Sequence, residues 1–155
     1  MEQLADDPPA PVDLEQLEVI GMHTANGDIS MSAENNKAII RRYLEDFRTD
    51  RSPAALDKYI VEDELKQHIA MYDSVLPGYY LAPEDIIAEG DRVVVRATVH
   101  GVHQGPFMDT PPTGKTVAFP LIIIYRLADG KIVEHWMLTD MLAFMEQIGV
   151  GAAVA

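Results

Sequence analysis

Apolar residues recur with a helical period in the first half of the chain and with a strand period in the second half. Between positions 33 and 49 they fall at i, i+3, i+4 and i+7, the spacing of one helix face. The members of this stripe are Ile40, Tyr43, Leu44 and Phe47. Ser32 is a residue type favoured at helix N-caps. The pattern predicts a first helix over Ala33–Thr49, capped by Ser32.

Two further segments precede the strands. Ser52 followed by Pro53 is typical of an N-cap and the first helical position, and Leu56, Tyr59 and Ile60 would then face inward. The next segment, Leu65–Tyr72, fits either a short helix or an irregular strand, and its pattern does not separate the two.

From Tyr80 the apolar residues alternate with polar ones, which is typical of half-buried strands. Four strands are predicted over Tyr80–Glu89, Arg92–His103, Thr116–Leu127 and Lys131–Thr139. Pro83 favours an edge position for the first strand, and Asp129-Gly130 predicts a hairpin between the last two. A closing helix over Met141–Ile148 ends at Gly149.

Helices that precede an antiparallel meander indicate an α+β fold, with a curved antiparallel sheet wrapped around the N-terminal helices. The concave side of such a sheet predicts a cone-shaped domain with an apolar pocket. We expect one domain over residues 32–150, an acidic, proline-containing leader or arm over 1–31, and a short tail over 151–155.

Charge and composition narrow the function classes. The formal net charge is −13, which argues against nucleic acid as a partner. Residues 1–35 hold eight acidic residues and no Lys or Arg, so the rest of the chain is only modestly acidic. There is no cysteine, no signal-like N-terminus and no apolar run of the roughly 18 residues that span a membrane. We therefore expect a cytoplasmic protein that does not associate with membranes.

The segment from Ile86 to Gly149 closely resembles the SnoaL-like polyketide cyclase family, and the resemblance extends to about residues 33–149. It is carried, in order, by EGDRV (89–93), GVHQGPF (101–107), PPTGK (111–115), YRLADGKIVEHW (125–136) and Asp140. The resemblance implies the cone fold of nuclear transport factor 2 and a homodimer formed through the open sheet face. It also implies aldol ring closure in a polyketide-type substrate without metal or organic cofactor.

By the same resemblance, Asp140 matches the acidic residue after the last strand, and His68 matches a histidine that often lines the pocket. Only Ile69–Gly90 separates His68 from the GDRV turn, which is shorter than usual in the family. We therefore expect a smaller or more open pocket, or a cover supplied by the leader.

An aldol reaction needs a base to remove a proton next to a carbonyl and an acid to protonate the new alkoxide. Apolar neighbours of Asp140, among them Trp136 and Met141, would raise the pKa of a buried carboxyl enough for both tasks. The alternative is that Asp140 only caps the closing helix. His68 would orient Asp140 or bind the substrate carbonyl, or would be a surface histidine.

The remaining candidates are assigned by strand parity and residue type. His100 and His103 lie three apart on one strand and should face opposite sides, which argues against a shared metal. His103 would line the cavity mouth or brace its loop, Trp136 would lean toward the pocket, and His135 would face the sheet exterior. The predicted substrate-binding residues are Trp136, His103, Phe107, Tyr43, Tyr72 and Phe119, each of which could equally be ordinary core.

The function expected is that of a cofactor-independent cyclase or isomerase that acts on a small apolar carbonyl compound. Three alternatives remain open: a non-catalytic protein that binds a small molecule, an interaction module that uses its sheet face, and an epoxide hydrolase on the same fold. A second acid or histidine within hydrogen-bond reach of Asp140 would favour the enzyme. A pocket filled by side chains would favour the interaction module.

Overall fold

The computed structural model describes residues 22–150, with side chains from Ser32 onwards. Most of the predicted leader and the whole predicted tail lie outside the described residues. The helices are α1 (Met22–Phe47), α2 (Pro53–Asp57), α3 (Asp63–Val75) and α4 (Met141–Ile148). The strands are β1 (Tyr80–Glu89), β2 (Arg92–Val102), β3 (Thr116–Ala128) and β4 (Lys131–Thr139). The predicted α+β class is confirmed, and the four strand predictions agree with the structure to within a residue.

The predicted start of the first helix is wrong. α1 begins at Met22 and runs through Ser32, so it starts eleven residues before the predicted first residue, Ala33. Serine is only mildly unfavourable inside a helix, and no proline between Met22 and Ser32 interrupts the backbone hydrogen bonds. The predicted apolar stripe is correct, because Ile40, Tyr43 and Phe47 are all buried against the sheet.

The other two helices before the sheet are set by local signals. The Ser52 hydroxyl accepts a hydrogen bond from the Ala55 amide at 3.3 Å and Pro53 opens α2, as the sequence predicts. The undecided segment is helical and belongs to α3, whose residues Leu65 and Ile69 are buried in the core. Four residues apart, these two side chains hold one face of α3 against the interior.

The sheet is an antiparallel meander in the order β1-β2-β3-β4, curved and not closed. β1 is an edge strand, as Pro83 indicated, and its register with β2 shifts between Pro83 and Asp85. A second irregularity lies between β3 and β4, where Arg126 pairs with Glu134 and Leu127 with Ile132. Val133 is therefore left without a partner, as the extra residue of a β-bulge.

The long loop between β2 and β3 is anchored against the C-terminal end of α3. The amides of Gln104 and Gly105 both donate to the Val75 carbonyl, at 3.2 and 3.0 Å. The backbones approach so closely that a Cβ on Gly105 would lie 1.7 Å from the Ser74 carbonyl oxygen. Only glycine permits this contact.

The face of the sheet that points away from the helices is partly apolar. Its exposed large apolar side chains are Ile87, Ile122, Trp136 and Leu138. Arg92 lies over the ring of Trp136, with its guanidinium carbon 5.0 Å from the ring centroid. This face carries the predicted homodimer contact. Within residues 22–150, no helix combines the length and hydropathy needed to cross a membrane.

Gly105→Ala should lower the free energy of unfolding by about 3 kcal/mol, the upper end for ordinary single substitutions, because the methyl group collides with backbone. Gly78 is a control, since it also lies in a loop, with φ +75° and no atom within 4 Å of an added Cβ. Gly78→Ala should cost only about 1–2 kcal/mol, the strain of a left-handed backbone. Urea unfolding of both variants gives the comparison, and equal losses would show that the Gly105 contact is not tight.

We predict that two copies pair through the outer sheet face and that Leu138→Asp weakens the dimer at least tenfold, or about 1.4 kcal/mol. A buried, unpaired carboxylate at the contact is the physical reason. Val61→Asp is the matched control: Val61 is 57% exposed, against 77% for Leu138, but lies between α2 and α3. Light scattering over a concentration series measures the effect, and a wild-type monomer at micromolar concentration would contradict the prediction.

Candidate active site

Two neighbouring spaces lie between α3 and the sheet. The larger, here called the outer cavity, has a volume of about 310 Å³ and an opening to solvent. Its lining is Met71, Tyr72, Ser74, Val75, Leu76, Pro106, Phe107, Met108, Phe119, Met141 and Phe144. No acidic, basic or histidine side chain is among these described residues. The outer cavity is therefore suited to an apolar molecule of modest size.

The smaller space, here called the inner chamber, has a volume of about 30 Å³. It lies deeper in the cone and is lined by Tyr43, Phe47, Leu65, His68, Ile69, Tyr72, Tyr79, Leu81, Leu121, Ile123, Tyr125 and Met137. Four phenols and one imidazole thus border a space that holds about one water molecule. The two spaces differ about tenfold in volume, and the expectation of a pocket smaller or more open than is usual in the family stays a prediction.

A chain of hydrogen bonds leads from the inner chamber to a carboxylate. His68 Nδ1 lies 3.0 Å from His135 Nε2, and His135 Nδ1 lies 2.6 Å from a carboxylate oxygen of Glu62. The His135 and Glu62 side chains are only 3% and 14% exposed, so bulk water screens their contact weakly. We call Glu62, His135 and His68 the relay.

The relay determines which nitrogen of His68 can accept a proton. With Glu62 ionised and both imidazoles neutral, His135 Nδ1–H donates to the carboxylate, and its Nε2 must accept. His68 Nδ1–H then donates to His135 Nε2, which leaves the lone pair on His68 Nε2. This proton arrangement is inferred from the hydrogen-bond partners. It makes His68 Nε2 the basic end of the relay.

Local structure places the three relay residues together. Glu62 is the N-cap residue of α3, and His68 lies in the same helix, four positions before Tyr72 and on the same side. His135 pairs with Tyr125 across β3 and β4 and faces inward with it. The bulge at Val133 accounts for this orientation, since it lets both Ile132 and His135 face the core although they are three residues apart.

Three of the four phenols of the inner chamber, those of Tyr43, Tyr79 and Tyr125, stay protonated over the physiological range. Burial raises the pKa of Tyr43, Tyr79 and Tyr125 well above the usual value, and the closeness of the hydroxyls to one another adds to the effect. The rings of Tyr43 and Tyr125 meet edge-on, with centroids 6.0 Å apart. A protonated phenol donates a hydrogen bond, so these groups can bind a carbonyl or enolate oxygen.

Asp140 is exposed, contrary to the expectation that apolar neighbours bury it. Its carboxylate accepts a hydrogen bond from the Ala143 amide at 3.0 Å and caps α4, the alternative role that the sequence allowed. Asp140 lies between Thr139, whose hydroxyl contacts Tyr72, and Met141, which lines the outer cavity. Its predicted acid–base role stays a prediction.

The predicted orientations of Trp136 and His135 are wrong. Trp136 is on the outer sheet face with Glu134, lining neither space, whereas His135 faces the core. In a regular strand with Ile132 in the core, Trp136 would face inward and His135 outward, and the bulge at Val133 reverses both orientations. His100 and His103 do face opposite sides, as expected: His103 is fully buried, whereas His100 stacks on Tyr80.

The other predicted binding residues separate between the two spaces. Phe107 and Phe119 line the outer cavity, Tyr43 lines the inner chamber, and Tyr72 lines both. His103 lines neither and braces the loop instead, because its Nδ1 accepts a hydrogen bond from the Thr113 amide at 3.2 Å. Across residues 22–150, His, Asp and Glu side chains form no group of three or more that could hold a metal ion.

Glu62 was not predicted as a site residue, and His135 was assigned to the wrong face. The acidic residue just before α3 carries no distinctive signal, because acidic residues are common at helix N-termini. The contact with His135 joins positions 73 residues apart. A periodic pattern cannot reveal such a contact.

Comparison with known proteins agrees with this architecture. The solved structures similar to the chain include AclR from Streptomyces galilaeus, for which hydroxylase activity has been suggested. AclR is 26% identical with a TM-score of 0.67, and the match covers 76% of this chain and 82% of AclR. TsrD from Streptomyces laurentii is 25% identical with a TM-score of 0.62, covering 72% of this chain and 96% of TsrD. A Jannaschia protein, suggested to be a SnoaL-like polyketide cyclase, is 25% identical with a TM-score of 0.66, covering 75% of this chain and 92% of that protein.

The search of curated proteins gives no match. The sequence model of the SnoaL-like polyketide cyclases matches residues 30–148, which include all four strands and most of the helical part. The chain therefore belongs to the SnoaL-like polyketide cyclase family.

Proposed function

We propose that this protein is a cyclase or isomerase that removes a proton next to the carbonyl of a small apolar compound, with His68 as the base. The observation that carries the proposal is the relay, which ends at His68 beside a chamber bordered by four tyrosines. A base and a set of oxyanion donors in one site are what enolate chemistry requires.

The proposed step transfers a proton from carbon to His68 Nε2. The electron pair of the broken C–H bond moves toward the carbonyl, and the enolate oxygen accepts hydrogen bonds from the chamber phenols. The imidazolium formed at His68 is stabilised through His135 by the charge of Glu62. Return of the proton to another carbon completes an isomerisation, and attack of the enolate carbon on a second carbonyl closes a ring.

The apolar body of the substrate would occupy the outer cavity. A volume of about 310 Å³ is at the lower end of the range for small-molecule sites, which favours a compact molecule over a large fused-ring system. Apolar side chains around a ligand also exclude water, which strengthens the electrostatic interactions nearby.

Asp140 remains the predicted second acid–base group of this proposal. Family resemblance supports it, and Asp140 directly precedes Met141, which lines the outer cavity. The Asp140 side chain itself borders a separate hollow beside Arg96 and Leu138. Its carboxylate would have to give up the hydrogen bond to the Ala143 amide to reach a ligand. Loss of such a cap costs about 1 kcal/mol, so the energetic barrier to this rearrangement is modest.

A non-catalytic binding protein is the second candidate. It is favoured by the lining of the outer cavity, which contains no ionisable group other than the phenol of Tyr72 among the described residues. The suggested activities of the similar structures also differ, with a hydroxylase for AclR and a cyclase for the Jannaschia protein. Family membership alone therefore does not determine the reaction.

The enzyme and the non-catalytic binding protein predict different rates of deuterium exchange at the carbon next to a ketone carbonyl. In D₂O the wild-type protein should accelerate α-proton exchange in β-tetralone, a two-ring ketone, as followed by NMR. His68→Gln should abolish most of the acceleration, a loss of about 10²-fold or more, typical for a general base. His100→Gln is the matched control, because His100 lies on the face of β2 that points away from the inner chamber.

Asp140→Asn in the same assay separates the two acid–base candidates. The amide can still accept the capping hydrogen bond, so the fold is retained. Exchange at the wild-type rate supports His68 as the base, whereas loss of exchange in this variant with retention in His68→Gln would assign the step to Asp140. Binding of β-tetralone without any acceleration of exchange would favour the non-catalytic protein.

The protonated phenols predict how stability depends on pH. Above the unfolded pKa of about 10, unfolded tyrosines ionise while Tyr43, Tyr79 and Tyr125 keep their protons, so the free energy of unfolding should fall as pH rises. Tyr43→Phe should reduce the slope by up to about 1.4 kcal/mol per pH unit above pH 10. Phe47→Leu, which changes the same cluster without removing a phenol, should leave the slope unchanged. Urea unfolding between pH 8 and 11.5 measures the slopes, and identical slopes for Tyr43→Phe and wild type would contradict the prediction.

A further inference from the structure

Tyr72 stands between the outer cavity and the inner chamber. It is the single described residue that belongs to the lining of both spaces. On α3 it follows His68 by one helical turn, so the two side chains lie next to each other on the same side of the helix. The space large enough for a ligand and the base proposed to act on that ligand are therefore on opposite sides of one ring.

Tyr72 packs against the hydrophobic core, but few polar or aromatic contacts fix the position of its ring. Its hydroxyl lies 3.0 Å from the Thr139 hydroxyl, and its ring centroid is 5.5 Å from that of Tyr79. One neutral hydrogen bond and one aromatic contact each contribute little to stability in comparison with a buried ion pair. The side chain is only partly buried, which leaves it room to change rotamer.

The space on the outer side of the ring is adaptable. Met71, Met108 and Met141 all line the outer cavity, and Met71 and Met108 are 54% and 81% exposed. Unbranched thioether side chains rearrange readily around a moving neighbour. A Tyr72 ring that leaves Thr139 can therefore turn toward the outer cavity without forcing apart a rigid wall.

We propose that Tyr72 is the specificity-determining residue of this site, because its position decides how large a molecule can extend from the outer cavity to His68. The inference deepens the proposed function and rests on His68 as the base. With Tyr72 bonded to Thr139, the chamber of about 30 Å³ is too small for any part of a ligand beyond a few atoms. With Tyr72 displaced, the two spaces join into one pocket that extends from the outer cavity to His68.

Ligand size gives a test that does not require turnover. Tyr72→Ala should bind anthrone, a three-ring ketone, about tenfold more tightly than wild type, while the affinity for the two-ring β-tetralone changes little. In the variant, bound anthrone should also shift the imidazole NMR signals of His68. Tyr72→Leu, which keeps more apolar volume in the core, should give the same trend if the alanine variant does not fold.

Phe107→Ala is the matched control, since it removes an aromatic ring of similar size from the outer cavity alone. It should enlarge the outer cavity without bringing anthrone to His68. Thr139→Val removes only the hydrogen-bond partner of Tyr72 and should give a smaller change in the same direction as Tyr72→Ala.

Unchanged anthrone affinity in both Tyr72 variants would overturn the proposal. The proposal would also be overturned if anthrone shifted the His68 imidazole NMR signals no more in the Tyr72 variants than in Phe107→Ala. These experiments measure ligand affinity and NMR chemical shift, neither of which depends on catalysis. If the variants bind anthrone as expected but the protein never exchanges α-protons, the catalytic role of His68 is disproved and the role of Tyr72 still holds.

Discussion

The packing of one face of α3 across the concave side of the sheet is the contact on which the site depends. Leu65 and Ile69 bury that face in the core. The same helix carries His68 and Tyr72 beside the inner chamber. At its C-terminal end the Val75 carbonyl accepts two amides from the loop that forms the rim of the outer cavity. A small rotation of α3 would therefore shift His68, Tyr72 and the rim of the outer cavity together.

The second constraint is the bulge at Val133. A regular β4 would place His135 on the outer face whenever Ile132 lies in the core, because side chains of a strand alternate. The bulge brings both inside, where Glu62 and His68 satisfy the two nitrogens of His135. Burial of an imidazole without these partners would cost several times the net gain of an ordinary hydrogen bond. The irregular backbone and the relay thus depend on each other.

The core of the cone contains the buried rings of Tyr43, Tyr79 and Tyr125 among mainly aliphatic side chains, and the outer cavity lies beside it. Aromatic packing among Tyr43, Phe47 and Tyr79 joins α1 to the start of the sheet. Arg51 reinforces this junction, since its guanidinium lies over the rings of Phe47 and Tyr79 and donates to Asp73 at 2.9 Å. Tyr72 lies at the boundary between the inner chamber and the outer cavity.

Local chemistry was enough to predict the four strands and the closing helix, but it left α3 undecided between helix and strand. Period-two alternation, the Asp129-Gly130 turn, the Ser52 cap and the Gly149 stop depend on neighbouring residues alone, and all four agree with the structure. Ser32 shows the limit of such signals, because a capping residue does not prevent a helix from extending upstream. The family, too, could be identified from the order and spacing of short motifs.

The arrangement of the candidate site could be determined only from the tertiary structure. Whether Asp140 is buried depends on how α4 packs, and whether His135 faces inward depends on one extra residue in β4. The relay joins the end of the helical part to the last strand, and Tyr72 separates two spaces that exist only once α3 is docked. Sequence periodicity determines which face of an element is apolar. It does not determine which polar groups meet on that face, because those contacts are set by the register and packing of distant segments.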